Sequence, residues 1–217
     1  MNNIYVYLIV IIILYVLITS SKPRTKRKKS SSAKIKGEIG EKKIADILKT
    51  LPRKHYKIIN DVFLKRKDGS TSQIDHIIVS TYGIFVIETK NYNGLITGKD
   101  NSEEWIQHLS KKDSYPFYSP TRQNYGHIKA LKESLRLPEN IFISIVVFLS
   151  DATLNVKSKY HVINDKELKK TILAYHMQKL DNEKVITIEN QIKNLNISSK
   201  RARNKHVKYI EKNYKKR

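Results

Sequence analysis

The sequence predicts an α/β domain in which a β-sheet packs against amphipathic helices. Residues 73–90 read as two short strands rich in β-branched residues, joined by a tight turn. Residues 141–149, IFISIVVFL, form a continuous apolar run that is typical of a central strand covered on both faces. Residues 33–51 and 120–135 carry apolar side chains at three- and four-residue steps, the period of an amphipathic helix.

The first 32 residues predict a membrane anchor followed by a basic linker. Residues 4–18 are uncharged and apolar, and their uncharged flanks extend the run to about the length that spans a bilayer. No Lys or Arg precedes the run and no A-x-A follows it, which favours an anchor over residues 1–21 rather than a secretory signal peptide. Six positive charges in the linker at 22–32 then place the rest of this single-pass chain in the cytoplasm.

The net charge indicates a polyanionic partner. The 217 residues include 42 Lys and Arg against 20 Asp and Glu, a formal charge of +22. Nucleic acid and anionic lipid are both candidates, and a generally basic proteome is the alternative explanation. There is no cysteine, which excludes disulfides and thiolate metal sites and favours a reducing compartment.

The helix predicted over residues 33–51 carries two glutamates on different sides. Glu38 lies with lysines on the wet side, whereas Glu41 lies beside the apolar stripe and is a candidate site residue or a surface partner for a lysine. Gly37 and Gly40 lie on the inner side, where missing side chains would let the helix approach the sheet closely. The residues expected to face the core are Ile35, Ile39, Ile44, Ile47, Leu48 and Leu51.

Further strands are predicted at 56–65, which would flank the hairpin, and at 95–98. The aromatic residues Trp105, Tyr115, Phe117 and Tyr118 follow; packing over a sheet edge is favoured over stacking on nucleic-acid bases. The helix at 120–135 begins with a proline, a favoured first-turn residue, and carries Gln123 in its first turn.

The remaining chain is expected to add an α/β extension packed on the core at 151–198 and a basic tail at 199–217. Val162 and Ile163 suggest an edge strand, and Asn164 with Glu167 resembles a capping box that opens a helix to about Leu180. The tail is either a basic helix on membrane or nucleic acid or a solvated terminal helix. The seven histidines show no zinc spacing and are expected to be structural or exposed.

Three ionisable residues interrupt the apolar hairpin: Asp75, Glu88 and Lys90. A turn centred on Tyr82 and Gly83 pairs Asp75 with Lys90, and strand alternation places Glu88 on the same face. Paired carboxylates suit Mg²⁺ or Mn²⁺, which can activate water and neutralise phosphate charge in phosphodiester hydrolysis. Lys90 could then orient or deprotonate the water, or stabilise the phosphate. The alternative is a salt bridge at the end of a strand.

A longer pattern resembles the nuclease-related domain (NERD) family over about residues 36–150. It consists of G-x-x-G-E ending at Glu41, Q-I-D-H-I-I-V-S from Gln73, G-I-F-V-I-E-T-K-N-Y-x-G from Gly83, W-x-Q from Trp105 and S-P-x-x-Q-N from Ser119. The family is similar to restriction-endonuclease-like PD-(D/E)xK nucleases, so the resemblance implies a mixed central sheet flanked by helices. Ile74 stands where the wider superfamily has proline, as is usual in this branch.

The resemblance also implies roles for individual residues. Asp75 and Glu88 would bind the metal, together with the carbonyl of Thr89. Lys90 would be the catalytic lysine, Glu41 a carboxylate supplied by the helix, and Gln123 a glutamine that assists the site.

The leading hypothesis is therefore a membrane-anchored, Mg²⁺-dependent nuclease that acts on DNA through the domain at 33–150. One rival is a catalytically inactive module that holds nucleic acid or a partner at the membrane. Another is a protein that reads lipid headgroups with its basic flank and tail.

Overall fold

A computed structural model describes residues 25–197, with side chains for residue 32 and residues 34–197. The predicted anchor at 1–21 and basic tail at 199–217 lie outside these residues. The chain divides into two compact units, residues 1–36 and 37–217, and the site residues considered below belong to the second. None of the described helices is both long and apolar enough to cross a membrane.

The described residues form a mixed α/β structure. Its helices are α1 (Thr25–Leu48), α2 (Pro120–Leu135), α3 (Asp165–Leu173) and α4 (Asn182–Leu195), with a 3₁₀ turn at Glu139–Ile141. Its strands are β1 (Tyr56–Lys65), β2 (Thr71–Ser80), β3 (Gly83–Lys90), β4 (Gly94–Lys99), β5 (Glu104–His108), β6 (Ser114–Tyr118), β7 (Phe142–Phe148), β8 (Ala152–Lys157) and β9 (His161–Asn164).

The strands form two mixed sheets, where the sequence had predicted one. The first has the order β1-β2-β3-β7-β9 and the second β6-β5-β4-β8. In the first sheet β7 runs parallel to both of its neighbours, β3 and β9, and in the second sheet β4 runs parallel to β8. The expected hairpin, central strand and edge strand all lie in the first sheet, whereas the strand predicted at 95–98 is β4 of the second sheet.

The two sheets are continuations of the same pair of chain segments. Lys90 pairs with Phe148 at the end of the first sheet, and Gly94 pairs with Ala152, in the same register, at the start of the second. Between them, the Leu149 N–H donates to the Lys90 carbonyl at 3.1 Å, and the Gly94 N–H donates to the Asp151 carbonyl at 3.1 Å. We call this bend, residues 91–93 and 149–151, the corner.

Helices cover both faces of the first sheet. On one face, Ile77, Ile84 and Val86 share a core with residues of α2 and α4, including Ile128 and Ile188. The opposite face joins strand residues such as Phe85 and Ile87 to residues of α1 and α3. Burial from both sides explains the unbroken apolar run in β7. It also means that polar groups at the end of β3 are withdrawn from solvent.

The helix α1 meets the sheet later along its length than the sequence suggested. Ile35 and Ile39 were predicted to face the core, but they are 52% and 58% exposed. A side chain at Gly40 would place its Cβ 2.9 Å from the Asn91 Cβ, whereas nothing lies within 4 Å of the equivalent position at Gly37. The prediction of a close approach is therefore confirmed at Gly40 and wrong at Gly37, because the helix reaches β3 only near Gly40.

The helix also begins at Thr25 rather than at residue 33. The segment between these two positions is rich in lysine and arginine, which favour helix formation. Its second half is tied to α3 by a salt bridge of 2.6 Å between Lys43 and the buried Asp165.

The second sheet is built around a buried tryptophan. Trp105 is fully buried, stacks on Phe148 with a centroid distance of 6.4 Å, and donates to the Lys99 carbonyl at 3.1 Å. It lies against Gly98, where a Cβ would fall 2.3 Å from the indole ring. Trp105 therefore packs in a core, where the sequence had favoured packing over a sheet edge, whereas Tyr115 and Tyr118 are 50% and 36% exposed.

The last third of the described chain contributes a strand to each sheet and a helix to the core on each face of the first sheet. The edge strand β9 pairs with β7, and the capping box of Asn164 and Glu167 is present at the start of α3. That helix ends at Leu173, earlier than predicted, although Leu180 is still buried.

Candidate active site

The β2–β3 hairpin brings Asp75 to Glu88 rather than to Lys90. Ser80 pairs with Gly83 at the turn, and His76 pairs with Ile87 at the other end of the ladder. Continuing this register by one residue puts Asp75 opposite Glu88. The predicted pairing was wrong by two residues. Because side chains alternate with a period of two, the prediction that Asp75 shares a face with Glu88 and Lys90 survives the shift.

The register differs because Gly83 is not in the centre of the turn. The loop residues are Thr81 and Tyr82, and the Ser80 hydroxyl accepts from the Tyr82 N–H and donates to the Gly83 carbonyl. Gly83 has φ +135°, and a Cβ there would lie 2.7 Å from the Ile141 carbonyl oxygen. The glycine is therefore needed for tertiary packing at the start of β3.

Asp75 stands where the backbone ladder between β2 and β3 ends. Its Oδ2 accepts the Thr89 N–H at 2.8 Å, so a side chain replaces the next backbone hydrogen bond. Burial and the negative charges of Glu88 and Glu41 raise the pKa of Asp75 well above its usual range.

Glu88 and Lys90 form a buried ion pair at the end of β3. The Lys90 Nζ lies 2.6 Å from the Glu88 Oε1, and it also donates to the Gln123 Oε1 at 3.0 Å. Burial alone would raise the pKa of Glu88, but Lys90 and a hydrogen bond from His127 lower it to about 2. Burial likewise opposes the charge on Lys90, yet Glu88 raises its pKa above the usual range. Both partners are therefore charged at neutral pH.

The helix α2 is fastened so that it presents polar side chains to this pair. Ser119 caps it by accepting the Arg122 N–H at 3.4 Å. Asn124 is fully buried and donates to the Val86 carbonyl and to the Ser144 hydroxyl, each at 2.8 Å. The S-P-x-x-Q-N segment thus anchors the helix to β3 and β7, which positions Gln123 beside Lys90.

His127 is a site residue that the sequence reasoning missed. It is 5% exposed; its Nε2 lies 3.1 Å from the Glu88 Oε2 and its Nδ1 lies 2.7 Å from the Ser72 Oγ. The available signal was its spacing, since His127 is one helical turn after Gln123 and lies on the same side of α2.

Two further carboxylates lie near Asp75. The register of β1 and β2 puts Asp61 opposite Asp75. The backbone of Asp61 has φ +54°, a conformation that aspartate tolerates better than most residues. The Gln73 amide donates to Asp61 at 3.1 Å. Burial, and then the charges of Asp61 and Glu88, raise the pKa of Glu41 to about 7. No sequence pattern marked Asp61, because its place in the site follows from strand pairing.

These carboxylates are suited to a divalent cation. Among the side chains described, no three His, Asp or Glu groups form a ready-made metal cage. Mg²⁺ is often held by one or two carboxylates, with water and substrate phosphate completing its shell. Each carboxylate oxygen offers two acceptor directions, so Asp75 and Glu88 retain capacity beyond their present hydrogen bonds. Burial and then repulsion from neighbouring carboxylates raise the pKa values of Asp75 and Glu41, and a bound cation would relieve the repulsion.

Comparison with known proteins agrees with the pattern in the sequence. The family model described as nuclease-related domain matches residues 36–149, which include all the site residues above. A Bacillus anthracis protein described as uncharacterized is 39% identical over 183 residues, covering 82% of this chain and 84% of that protein. No solved structure gives a significant match.

Proposed function

Because the chain belongs to the nuclease-related domain family, we propose that it is a metal-dependent nuclease with a restriction-endonuclease-like catalytic core that hydrolyses phosphodiester bonds of DNA. The observation that carries the proposal is the buried Glu88–Lys90 pair beside Asp75, at the point where β2 and β3 separate. The family match supports a nuclease-related function in general.

Asp75, Glu88 and the Thr89 carbonyl would hold Mg²⁺ or Mn²⁺. When bound there, the cation would lower the pKa of a coordinated water and neutralise charge on the phosphate. Glu88 is suited to this role because its carboxyl stays ionised to a pH of about 2.

Lys90 would act through its charge rather than as a base. Its pKa is raised by Glu88, so the ammonium keeps its protons at neutral pH and can stabilise negative charge that develops on the phosphate. Gln123 accepts one of those protons in a hydrogen bond and so helps to orient the ammonium.

Glu41 is the better candidate for accepting a proton. A general base works best when its pKa lies near the working pH, and the pKa of Glu41 is about 7. Its position beside the charges of Asp61 and Glu88 would let it receive a proton from an attacking water.

The proposal is tested with the full-length chain, duplex DNA and Mg²⁺ or Mn²⁺. We expect cleavage that a chelator stops and that falls by about 100-fold or more in Asp75→Asn and in Lys90→Met. Lys184→Met, which removes a 67% exposed lysine on α4, is the matched control and should cut normally. Circular dichroism identifies variants that fail to fold. Cleavage that persists in both site variants would refute the assignment.

A non-catalytic module that binds nucleic acid is the second candidate. It is favoured by the fact that both oxygens of Glu88 already have partners, Lys90 and His127, and by the charge of +22. Binding without turnover, indifferent to chelator and weakened by salt, would support it over the nuclease.

We also propose that residues 1–21 hold the protein in a membrane with its domain in the cytoplasm, on the strength of the apolar run and the basic linker. Membrane fractions from cells should retain the full chain after alkaline extraction and release a chain that lacks residues 2–21. Flotation of the shortened chain with anionic vesicles would instead favour direct reading of lipid headgroups.

A further inference from the structure

We infer that Arg66, Ser72 and His127 form a hydrogen-bonded chain that orients the Glu88 carboxylate for cation binding. His127 is thus a positioning residue that acts through Glu88. The inference rests on the proposed function, since it assigns a role at the same site.

The direction of each hydrogen bond follows from which groups can donate. The Arg66 guanidinium can only donate, and its Nη2 lies 3.3 Å from the Ser72 Oγ. At the other end, the Glu88 carboxylate can only accept, so the His127 Nε2 carries a hydrogen and donates to the Glu88 Oε2 at 3.1 Å. The Ser72 hydroxyl has its own proton available for the His127 Nδ1 at 2.7 Å, and we assign it as the donor there.

The chain is shielded from water at its inner end. Ser72 is 3% exposed, His127 is 5% exposed and Glu88 is 2% exposed, so water does not compete for these hydrogen bonds. At the outer end, a Cβ at Gly126 would lie 3.1 Å from the Arg66 Nη2. The absence of a side chain at Gly126 therefore leaves room for the guanidinium to lie against α2.

Two donors then hold the carboxylate of Glu88, one on each oxygen. Lys90 contacts Oε1 at 2.6 Å and His127 contacts Oε2. With both in place the plane of the carboxylate is set, and each oxygen keeps a second acceptor direction. Without His127, the carboxylate could rotate about its contact with Lys90, and the orientation would have to be fixed again when the cation binds.

The test is direct Mn²⁺ binding to the full-length chain in the absence of DNA, measured by calorimetry. His127→Ala should raise the Mn²⁺ dissociation constant about 10- to 100-fold. His127→Gln, whose side-chain amide can donate from nearly the same place as Nε2, should recover most of that loss. Ser72→Ala should weaken binding by a smaller factor than His127→Ala.

His161→Gln is the matched control. The His161 Nε2 contacts the Tyr175 hydroxyl at 2.7 Å, away from the carboxylates, so its replacement should leave the Mn²⁺ affinity unchanged. Thermal unfolding followed by circular dichroism shows which variants are folded. If His127→Ala does not fold, the Mn²⁺ dissociation constants of Ser72→Ala and His127→Gln are compared with that of the wild-type chain instead.

A second readout does not depend on metal. In the ¹⁵N NMR spectrum of histidine-labelled wild-type protein at neutral pH, His127 should show the Nε2–H tautomer. An Nδ1–H tautomer or a doubly protonated ring would overturn the donor order.

The outcomes separate the inference from the proposed function. Wild-type affinity for Mn²⁺ in a folded His127→Ala would overturn the inference and leave the nuclease assignment standing. Failure of the wild-type chain to bind Mn²⁺ without DNA would also overturn the inference, whereas the nuclease assignment is decided by the cleavage of DNA in the Asp75 and Lys90 variants.

Discussion

Glu41 lies on α1, near the carboxylates of Asp61 and Glu88, and its pKa rises from 4.5 to about 7. A folded protein in which a carboxyl has a raised pKa takes up protons that the unfolded chain does not hold. Folding is therefore disfavoured as the pH increases from 4.5 through about 7, and the effect is absent at lower pH.

We predict that Glu41→Gln stabilises the protein at pH above 7 in the absence of divalent cations. A pKa difference of this size corresponds to about 3 kcal/mol for a fully buried group, and the partial solvent access of Glu41 reduces the expected gain to about 1 kcal/mol. Urea denaturation at about pH 8 and about pH 4 measures it, and the gain should vanish at the lower pH. An equal gain at both pH values would show that the charge of Glu41 is not its cause.

The residues identified from the sequence were those in local patterns. Asp75, Glu88, Lys90 and Gln123 lie in short motifs, and the structure brings their side chains together. His127 and Asp61 were not identified because their relation to the site depends on how α2 and β1 pack against the hairpin. The spacing of Gln123 and His127 places both on one side of α2, but it does not show that this side of the helix contacts Glu88.

At the scale of elements, the site depends on how closely α1 approaches the end of β3. Gly40 makes this approach possible beside Asn91 and Thr89, whereas Gly37 faces open space. The sequence placed both glycines on one inner face, because a helical period shows direction but not the point at which contact begins.

The two glycines therefore offer a matched pair of substitutions. Gly40→Ala should destabilise the protein by about 1–3 kcal/mol, because the added Cβ forces α1 away from Asn91. Gly37→Ala should be neutral or stabilise by up to about 1 kcal/mol, because alanine favours the helix and meets nothing. Urea denaturation of both variants measures the difference. A similar effect of the two substitutions would contradict the close approach at Gly40.

The hairpin register illustrates the same limit on sequence reasoning. The glycine after Tyr82 suggested the wrong turn centre, because Gly83 is required by the nearby Ile141 carbonyl rather than by the turn. The side chains were still assigned to the correct faces of the sheet, because the predicted register was wrong by two residues, an even number.

For the whole molecule, charge is the property that the sequence established most directly. A chain with a net charge of +22 should bind nucleic acid largely through phosphate contacts that release counterions. The division into two sheets was not foreseen, because an apolar strand pattern does not reveal where a strand pair bends.

We predict a steep dependence of DNA binding on salt. With Asp75→Asn to prevent cleavage, the affinity for duplex DNA should fall by about 100-fold or more between about 50 and about 200 mM salt. Fluorescence anisotropy of a labelled duplex measures it. An affinity that changes little over this range would argue against a polyanionic partner.

The corner limits how the chain can change in length during evolution. An insertion between Lys90 and Gly94 without a matching one between Phe148 and Ala152 would shift the β4–β8 pairing by one residue and turn Trp105's neighbours on β4 to the opposite side. Related chains should therefore keep these two connections equal in length, and should place their insertions and deletions in the loop at 66–70, which no parallel partner constrains.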